Sequence, residues 1–308
     1  TPTQVLNMES GVVCADAGSV TSIGVKEDGT VWVWGRGSDY LVGTTTTGNK
    51  YAPRQASLGL QSAITTAVIN DDNVLALDSD GVLWSWGSNS YGEYGNGTSG
   101  YATSNKKANR VNTPWEPAKV RSIHTFNRET RFNVSCVVTN EGDVWMWGGL
   151  NGFGEKVTIP QKMDLSNGNP VVQVEAGSES FHALDENGTL WSYSPEGDGS
   201  TGNTVYAKPA AVLKNVVTFS ATPASAGSGS ALLAVTEDGT LWKRDSSHAD
   251  FYEIEGGWIE EYVPPLDPKP DPGLPEPENG VVSLSVGQDH AIALQKDGTL
   301  WGWGCNSS

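Results

Sequence analysis

Carboxylates are the most numerous side chains in this sequence that could do chemistry. The chain has 36 Asp and Glu residues among its 308, and a converging pair of carboxylates is what glycoside hydrolysis requires. Most of them stand in turn-like stretches, where acidic side chains are ordinarily solvated. The histidines show neither metal-ligand spacing nor a defensible Ser-His-Asp arrangement; they are His124, His182, His248 and His290. We therefore expect no catalytic residue, no metal and no cofactor.

Cysteine is scarce and widely spaced. Cys14, Cys136 and Cys305 form no close pair and no metal-binding motif, which excludes a dense disulfide framework. If the chain closes into a ring, Cys14 and Cys305 become neighbours. The sequence leaves two alternatives open: a disulfide between Cys14 and Cys305, or three free thiols.

The element that must position all these groups is an eight-residue stretch, Asp28–Gly35, which reads Asp-Gly-Thr-Val-Trp-Val-Trp-Gly. Variants of it return five more times, with intervals of 52, 61, 46, 51 and 59 residues between their first tryptophans. Such intervals hold four short strands and their connections, so the chain is predicted to be an all-β repeat protein. We assign a structural role, wedging between units, to the first tryptophans: Trp32, Trp84, Trp145, Trp191, Trp242 and Trp301.

The strands of one unit can be read from the first repeat. Val12–Gly18 alternates, which predicts a first strand with Val13, Ala15 and Ala17 on one face and polar residues facing a central channel. Asp28-Gly29 predicts a two-residue turn with positive φ at both positions. The third strand is apolar on both faces, because tryptophans alternate with valines, and this requires a neighbouring sheet on each side.

Proline marks the outermost strand of each unit, where a missing N–H donor is tolerated. On this basis we predict outer strands over 52–56, 113–117, 159–163 and 208–212. The connections before these strands vary most in length, so a binding surface is expected there.

Two segments support a family resemblance. Gly287–Gly304 resembles the repeat of the regulator of chromosome condensation family, and Ser88–Gly97 resembles the Gly-rich loop that follows it. The resemblance implies a β-propeller, usually with seven blades, whereas this chain has six repeats. We predict one propeller of six four-stranded blades, with seven as the alternative, closed by an N-terminal strand that completes the last blade.

The predicted organisation is a single propeller over 1–308 with its closing strand at 1–8. The repeats are placed at 12–61, 62–120, 121–170, 171–215, 216–280 and 281–308. Residues 264–278 alternate proline with acidic residues and predict an extended surface excursion in the fifth unit.

The net charge of the chain restricts the classes of partner that it can bind. With 36 acidic and 19 basic residues the net charge is −17, which disfavours nucleic acid and anionic membranes. No stretch is apolar enough for a membrane span. We expect a monomer that binds a protein, preferentially a basic one; carbohydrate is the alternative partner.

Other functions of proteins with similar repeats fit less well. The Asp-Gly-Thr-x-Trp motif differs in spacing from the Asp-box of sialidase propellers, which argues against a glycosidase. The ultraviolet-B photoreceptor of plants shares the repeat but interleaves arginines with its tryptophans, whereas this chain has seven arginines in all. A nucleotide-exchange role implies basic contacts that an acidic chain lacks.

We therefore interpret the protein as a non-catalytic binding scaffold, located outside the cell or on the surface of a bacterium. Carbohydrate binding, or a mode of use similar to β-lactamase-inhibiting propellers, is the alternative. The candidate contacts are aromatic residues: Tyr40, Tyr91, Tyr101, Trp115, Phe153, Tyr252 and Trp258. Acidic neighbours would steer a basic partner; they are Asp39, Glu93, Glu155, Glu260 and Glu261.

Overall fold

The computed structural model contains six four-stranded antiparallel sheets and one two-stranded ribbon in the part of the chain that it describes. The described residues are 3–18, 20–35, 41, 50–60, 62–70, 72–100, 107–116, 119–128, 132–150, 156–176, 180–193, 195–197, 204–206, 209–221, 232–245, 248–253, 281–286 and 290–304. The six sheets are the blades of a β-propeller, as the repeat count predicts. The 264–278 excursion and Cys305 lie outside the described residues.

Blades one to three each use four consecutive strands of the chain. Blade one comprises Val12–Ala17, Thr21–Lys26, Val31–Gly35 and Lys50–Gln55. Blade two comprises Ile64–Ile69, Asn73–Asp78, Leu83–Gly87 and Asn109–Arg110. Blade three comprises Val120–Arg128, Phe132–Thr139, Val144–Gly148 and Val157–Met163.

Blades four to six follow the same order, with two variations. Blade four comprises Val171–Ala176, Phe181–Asp185, Leu190–Tyr193 and Ala210–Leu213, and the ribbon Pro195–Gly197 with Thr204–Tyr206 precedes its last strand. Blade five comprises Val216–Ala221, Leu232–Thr236, Leu241–Asp245 and His248–Glu253. Blade six comprises Val281–Val286, His290–Gln295, Leu300–Gly304 and, from the other end of the chain, Thr3–Gln4.

The N-terminal strand closes the ring, as expected. Thr3 pairs with Gly302 and Gln4 with Trp301 in antiparallel register. The amide of Val5 adds a bond of 3.0 Å to the Leu300 carbonyl. Two of the four predicted outer strands differ from the expectation: the outer strand of blade two is Asn109–Arg110, so 113–117 belongs to the connection after it, and the outer strand of blade four starts after Pro209.

The first strand is the innermost strand of its blade, and at two junctions its side chains bond the first strand of the next blade. The Cys14 thiol donates to the Ala67 carbonyl at 3.4 Å, and the Gln173 side-chain amide donates to the Phe219 carbonyl at 2.7 Å. The Asp16 carboxylate accepts the Ile69 amide at 2.8 Å. The polar residues predicted to face a channel thus bind neighbouring blades together.

Antiparallel order gives the ring two distinct ends. We call the end with the turns between second and third strands the turn face; the connections from each fourth strand to the next blade lie there too. We call the opposite end, with the connections between third and fourth strands, the loop face.

The signature turn differs from the predicted two-residue turn. The Gly29 amide bonds the Lys26 carbonyl at 2.8 Å and the Lys26 amide bonds the Thr30 carbonyl at 3.0 Å, so three residues are looped out. Gly29 has φ +78°, whereas Asp28 is not among the residues with positive φ. This is a type I turn followed by a left-handed glycine.

Four of the six turn glycines also dock on the following blade. The Gly29 carbonyl accepts the Ile64 amide at 3.2 Å, and a Cβ on Gly29 would lie 2.3 Å from the Ala63 Cβ. The same backbone bond joins Gly142 to Val171, Gly188 to Val216 and Gly298 to Val12. Glycine is required here both for its φ and for the close approach.

The two tryptophans of the motif have different roles. The first is partly buried and bonds within its own blade: the Trp84 indole donates to Asp78 Oδ2 at 2.8 Å, while Asp78 Oδ1 accepts turn amides. In blades two and three the second tryptophan is fully buried and bonds the preceding blade: Trp86 donates to the Leu41 carbonyl at 3.0 Å and Trp147 to the Glu93 carbonyl at 2.9 Å.

The apolar core lies between blades, so each third strand is covered on both faces as its sequence predicts. Val31 and Val33 pack with blade two in a cluster that includes Trp86 and Trp84. Trp32 packs on the opposite side, against a cluster formed by blade six and the start of blade one. The first tryptophans therefore do contribute to the packing between blades.

Candidate interaction faces

A β-bulge at the second residue of the first strand recurs in all six blades. In blade one the register shifts between Val12 and Cys14, which leaves Val13 unpaired. The bulge interrupts the alternation, so Val13 does not share a buried face with Ala15 and Ala17; it is 47% exposed. Bulges commonly turn a side chain out of the sheet.

The bulges bring apolar side chains to the surface of the turn face. Val172 and Val217 occupy the equivalent positions in blades four and five, and they are 37% and 58% exposed. We call Val13, Val172 and Val217 the bulge valines. Thr65 and Arg121 hold this position in blades two and three.

Acidic residues predominate in the turns of this face. The two looped-out residues that precede each turn glycine number twelve over six blades; eight are acidic and one is basic. We call the acidic ones the acidic rim: Glu27, Asp28, Asp80, Glu141, Glu186, Glu237, Asp238 and Asp297. All eight are exposed.

Local hydrogen bonds keep several rim carboxylates charged. The Thr30 hydroxyl and amide donate to Asp28 Oδ1 at 2.6 and 2.9 Å, and they hold the pKa of Asp28 below its usual value. Thr236 lowers the pKa of Asp238 and Thr299 that of Asp297 in the same way. These three aspartates therefore stay charged in more acidic solution than an unperturbed aspartate does.

On the loop face, blade two contributes a compact loop, Ser88–Gly100. The Asn89 carboxamide accepts the Tyr94 amide at 3.0 Å and donates to the Thr98 carbonyl at 3.2 Å. The buried Tyr94 hydroxyl donates to the Gly87 carbonyl at 2.8 Å. The Gly97 amide bonds the Thr158 carbonyl of blade three at 2.8 Å, so the loop is fixed to both blades.

Glu93 is buried in this loop, contrary to its predicted role in steering a partner. Its carboxylate accepts the Tyr91 amide at 2.8 Å through Oε2, while Oε1 has no hydrogen-bond partner. Burial raises the pKa of the Glu93 carboxyl. Because it is 0% exposed, Glu93 cannot contact a partner at the surface.

The three predicted contact residues that the structure describes do not converge. Tyr91 is half-buried on the loop face. Trp115 lies in the connection between blades two and three on the turn face, where its ring packs against Trp145 at 5.1 Å between centroids. Tyr252 lies within the outer strand of blade five, not in a loop. The others fall outside the described residues: Tyr40, Tyr101, Phe153 and Trp258, together with the acidic residues Asp39, Glu155, Glu260 and Glu261.

The channel holds polar groups in structural contacts. Glu175 of blade four lies at the position equivalent to Asp16 of blade one, and the two blades face each other across the ring. Burial raises the pKa of the Glu175 carboxyl, and the negative charge of Asp16 raises it further. The Asp16 carboxylate is engaged by the Ile69 amide of blade two, so it serves in the joint between blades.

The side chains of His124, His182, Cys14 and Cys136 are at least partly buried. His124 and His182 each bond a serine hydroxyl at 2.9 Å, to Ser122 and Ser180, and burial lowers the pKa of each histidine to about 4. Cys14 and Cys136 are free thiols. Within the described ranges no three His, Cys, Asp or Glu residues group as metal ligands. No helix there is long and apolar enough to cross a membrane.

The comparisons with known proteins agree with the repeat and the fold. The family model described as the Regulator of chromosome condensation (RCC1) repeat matches residues 64–93 and 281–308. The Ultraviolet-B receptor UVR8 of Arabidopsis thaliana is 26% identical over 96% of this chain and 65% of its own length. Protein pim1 of Schizosaccharomyces pombe is 26% identical over 96% of this chain and 59% of its own length. The chain thus spans less than two thirds of these relatives.

Solved structures of low identity share the fold. Human WBSCR16 superposes with a TM-score of 0.64 at 19% identity, covering 98% of this chain and 78% of that one. Yeast RCC1 (Prp20), solved in complex with Kap60, superposes with a TM-score of 0.57 at 17% identity, covering 95% of this chain and 70% of that one. The relatives named here are eukaryotic.

Proposed function

We propose that this chain, a β-propeller built of RCC1 repeats, is a non-catalytic scaffold that binds a protein partner through its loop face. The observation that carries the proposal is the loop Ser88–Gly100, which is fixed at both ends and holds Tyr91 partly exposed between blades two and three. A rigid, half-exposed tyrosine is a favourable interface anchor because little conformational entropy is lost on binding.

The structural role of the repeat supports the same proposal. The Asp-Gly turns, the tryptophans and the inner-strand polar groups are engaged in bonds within and between blades. Variation is concentrated in the connections on the loop face, which is where binding residues commonly reside on a rigid scaffold. Yeast Prp20, which shares the fold at under 25% identity to this chain, was solved in complex with Kap60 and studied for its binding to Gsp1p and histones.

The test compares Tyr91→Ala with a matched control, Ile159→Ala. Ile159 is 50% exposed on the outer strand of blade three, so its truncation removes exposed apolar surface away from the loop. Immobilised protein is exposed to an extract of the source organism, the stoichiometric partner is identified by mass spectrometry, and its affinity is measured with purified components. We expect Tyr91→Ala to weaken binding by about tenfold or more at an unchanged melting temperature, and Ile159→Ala to leave binding unchanged.

Equal binding by the two variants would contradict the loop-face assignment. Retention of the protein on a glycan array, without a protein partner, would favour the carbohydrate alternative. Turnover of a glycan would overturn the non-catalytic part of the proposal.

Location outside the cell also belongs to the proposal. It rests on composition, namely few cysteines and the proline-acid segment 264–278. Fractionation of the source cells tests it, and recovery of the protein from the cytosol alone would contradict it.

A further inference from the structure

The turn face concentrates exposed apolar side chains in the described part of the chain. Five large apolar residues there are well exposed, and four of them lie on this face: Leu6 at 60%, Val13 at 47%, Val172 at 37% and Val217 at 58%. Isolated exposed apolar residues are ordinary, but grouping at one end of a molecule is typical of a contact surface.

The bulge explains why these residues are exposed but not why they are valine. A residue turned out of the sheet at this point needs no apolar side chain, as Thr65 and Arg121 show at the equivalent positions of blades two and three. Val172 and Val217 are in neighbouring blades, and Val282 holds the bulge position of blade six, next to Val13 of blade one. Valines thus occupy the bulge position along an arc of four successive blades.

The charge around this arc specifies what would cover it. The rim positions of blades four and five are Glu186, Glu237 and Asp238, all exposed. A second copy of this chain would set one acidic rim against another, and nucleic acid or an anionic membrane would be repelled likewise. A segment that carries lysine or arginine together with apolar side chains complements both the charge and the valines.

We propose that the turn face is a second protein-interaction surface, which binds a basic segment with interspersed apolar side chains. Its bulge valines supply apolar contact, and its acidic rim supplies orientation and a faster encounter. This surface is at the opposite end of the ring from Tyr91, so it is independent of the loop-face function.

The test uses two fluorescent peptides of equal length and charge, one alternating lysine with leucine and one alternating lysine with serine, titrated by anisotropy at low ionic strength. The rim variant is Glu186→Gln with Glu237→Gln, and the valine variant is Val172→Ser with Val217→Ser. The control, Asp72→Asn with Asp250→Asn, removes the same charge from exposed residues that lie off the turn face. All substituted side chains are exposed, and melting temperatures check that each variant is folded.

We expect the rim variant to weaken binding of both peptides about three- to tenfold, with the loss diminishing as salt is added. The valine variant should weaken binding of the lysine-leucine peptide and leave the lysine-serine peptide unaffected. The control and Tyr91→Ala should bind as the wild type does.

Equal weakening by the rim variant and the control would show attraction to net charge alone and overturn the proposal. Unchanged lysine-leucine binding by the valine variant would overturn it as well. Because Tyr91→Ala reports on the loop face separately, either surface can fail without the other.

Discussion

The junctions between blades are built differently at their two ends. At the turn face a glycine carbonyl accepts the first amide of the next blade, with the same geometry at four junctions. At the loop face the joint depends on a side chain: an indole in blades two and three, but in blade five the Arg244 guanidinium, which donates to Ser192 Oγ of blade four at 3.4 Å. The joint at the turn face requires only a glycine, so the same joint recurs from blade to blade. The joint at the loop face requires a side chain that fits the neighbouring loop, so the residue differs between blades.

Removal of Trp147 tests the loop-face joint most severely. Trp147 is 0% exposed and binds the Glu93 carbonyl across the junction, so Trp147→Ala should lower the free energy of unfolding by about 3–5 kcal/mol. Trp84→Ala should cost less, because Trp84 is only partly buried. Urea denaturation measures both. An equal loss in the two variants would show that first and second tryptophans contribute alike.

Substitution of Gly142 tests the turn-face joint. Gly142 has φ +82°, and an added Cβ would lie 2.6 Å from the Pro170 Cα, so Gly142→Ala should cost about 3 kcal/mol from backbone strain and steric overlap together. The matched control is Gly168→Ala, where φ is +84° but no atom lies within 4 Å; strain alone should cost about 1 kcal/mol. Equal costs in denaturation would mean that the joint is not closely packed.

Acidification tests the junction of blades four and five, where arginine replaces the indole. Burial, and then the charge of Arg244, lowers the pKa of His182 from 6.5 to about 4. Between these values the unfolded chain binds a proton that the folded protein does not, so stability falls as pH falls. We expect His182 to contribute about 1–2 kcal/mol of the loss between pH 7 and pH 5.

The control for this pH effect is His182→Gln, which removes one of two similar titrations. His124 also has a pKa of about 4 because it is buried, so the variant should keep part of the slope. Denaturation midpoints at pH 7, 6 and 5 provide the measurement. An unchanged slope in His182→Gln would show that this histidine does not titrate on unfolding.

Most of the fold was predictable because the sequence contains six copies of the same strand and turn pattern. The third strand apolar on both faces and the N-terminal strand that completes blade six are local patterns with one satisfactory arrangement. Asp-Gly, by contrast, suits both the predicted two-residue turn and the observed type I turn followed by a left-handed glycine. The ring closes because the N-terminal strand pairs with the third strand of blade six.

The errors concern single residues whose placement depends on the rest of the molecule. The bulge at Val13 adds one residue to a strand, and alternation cannot reveal it. Glu93 reads as a solvated acid, yet the loop and blade three cover it. Trp115 follows a short outer strand, so a proline-based boundary assigned it to the wrong element. Aromatic type alone therefore did not separate the packed Trp115 from the half-exposed Tyr91, and the exposed valines were missed because their sequence looks like core.

The shared sixth sheet has a consequence for how the molecule comes apart. A linear stack of repeats frays from its terminal units, because each has a single neighbour. Here Gln4 and Trp301 are paired, so every unit has two neighbours and there is no end from which to fray. Joining residues so distant in the chain costs roughly 5 kcal/mol of loop entropy. The two-residue strand Thr3–Gln4 thus holds the ring closed. Its detachment would convert a cooperatively folded ring into a linear array whose two terminal blades unfold most easily.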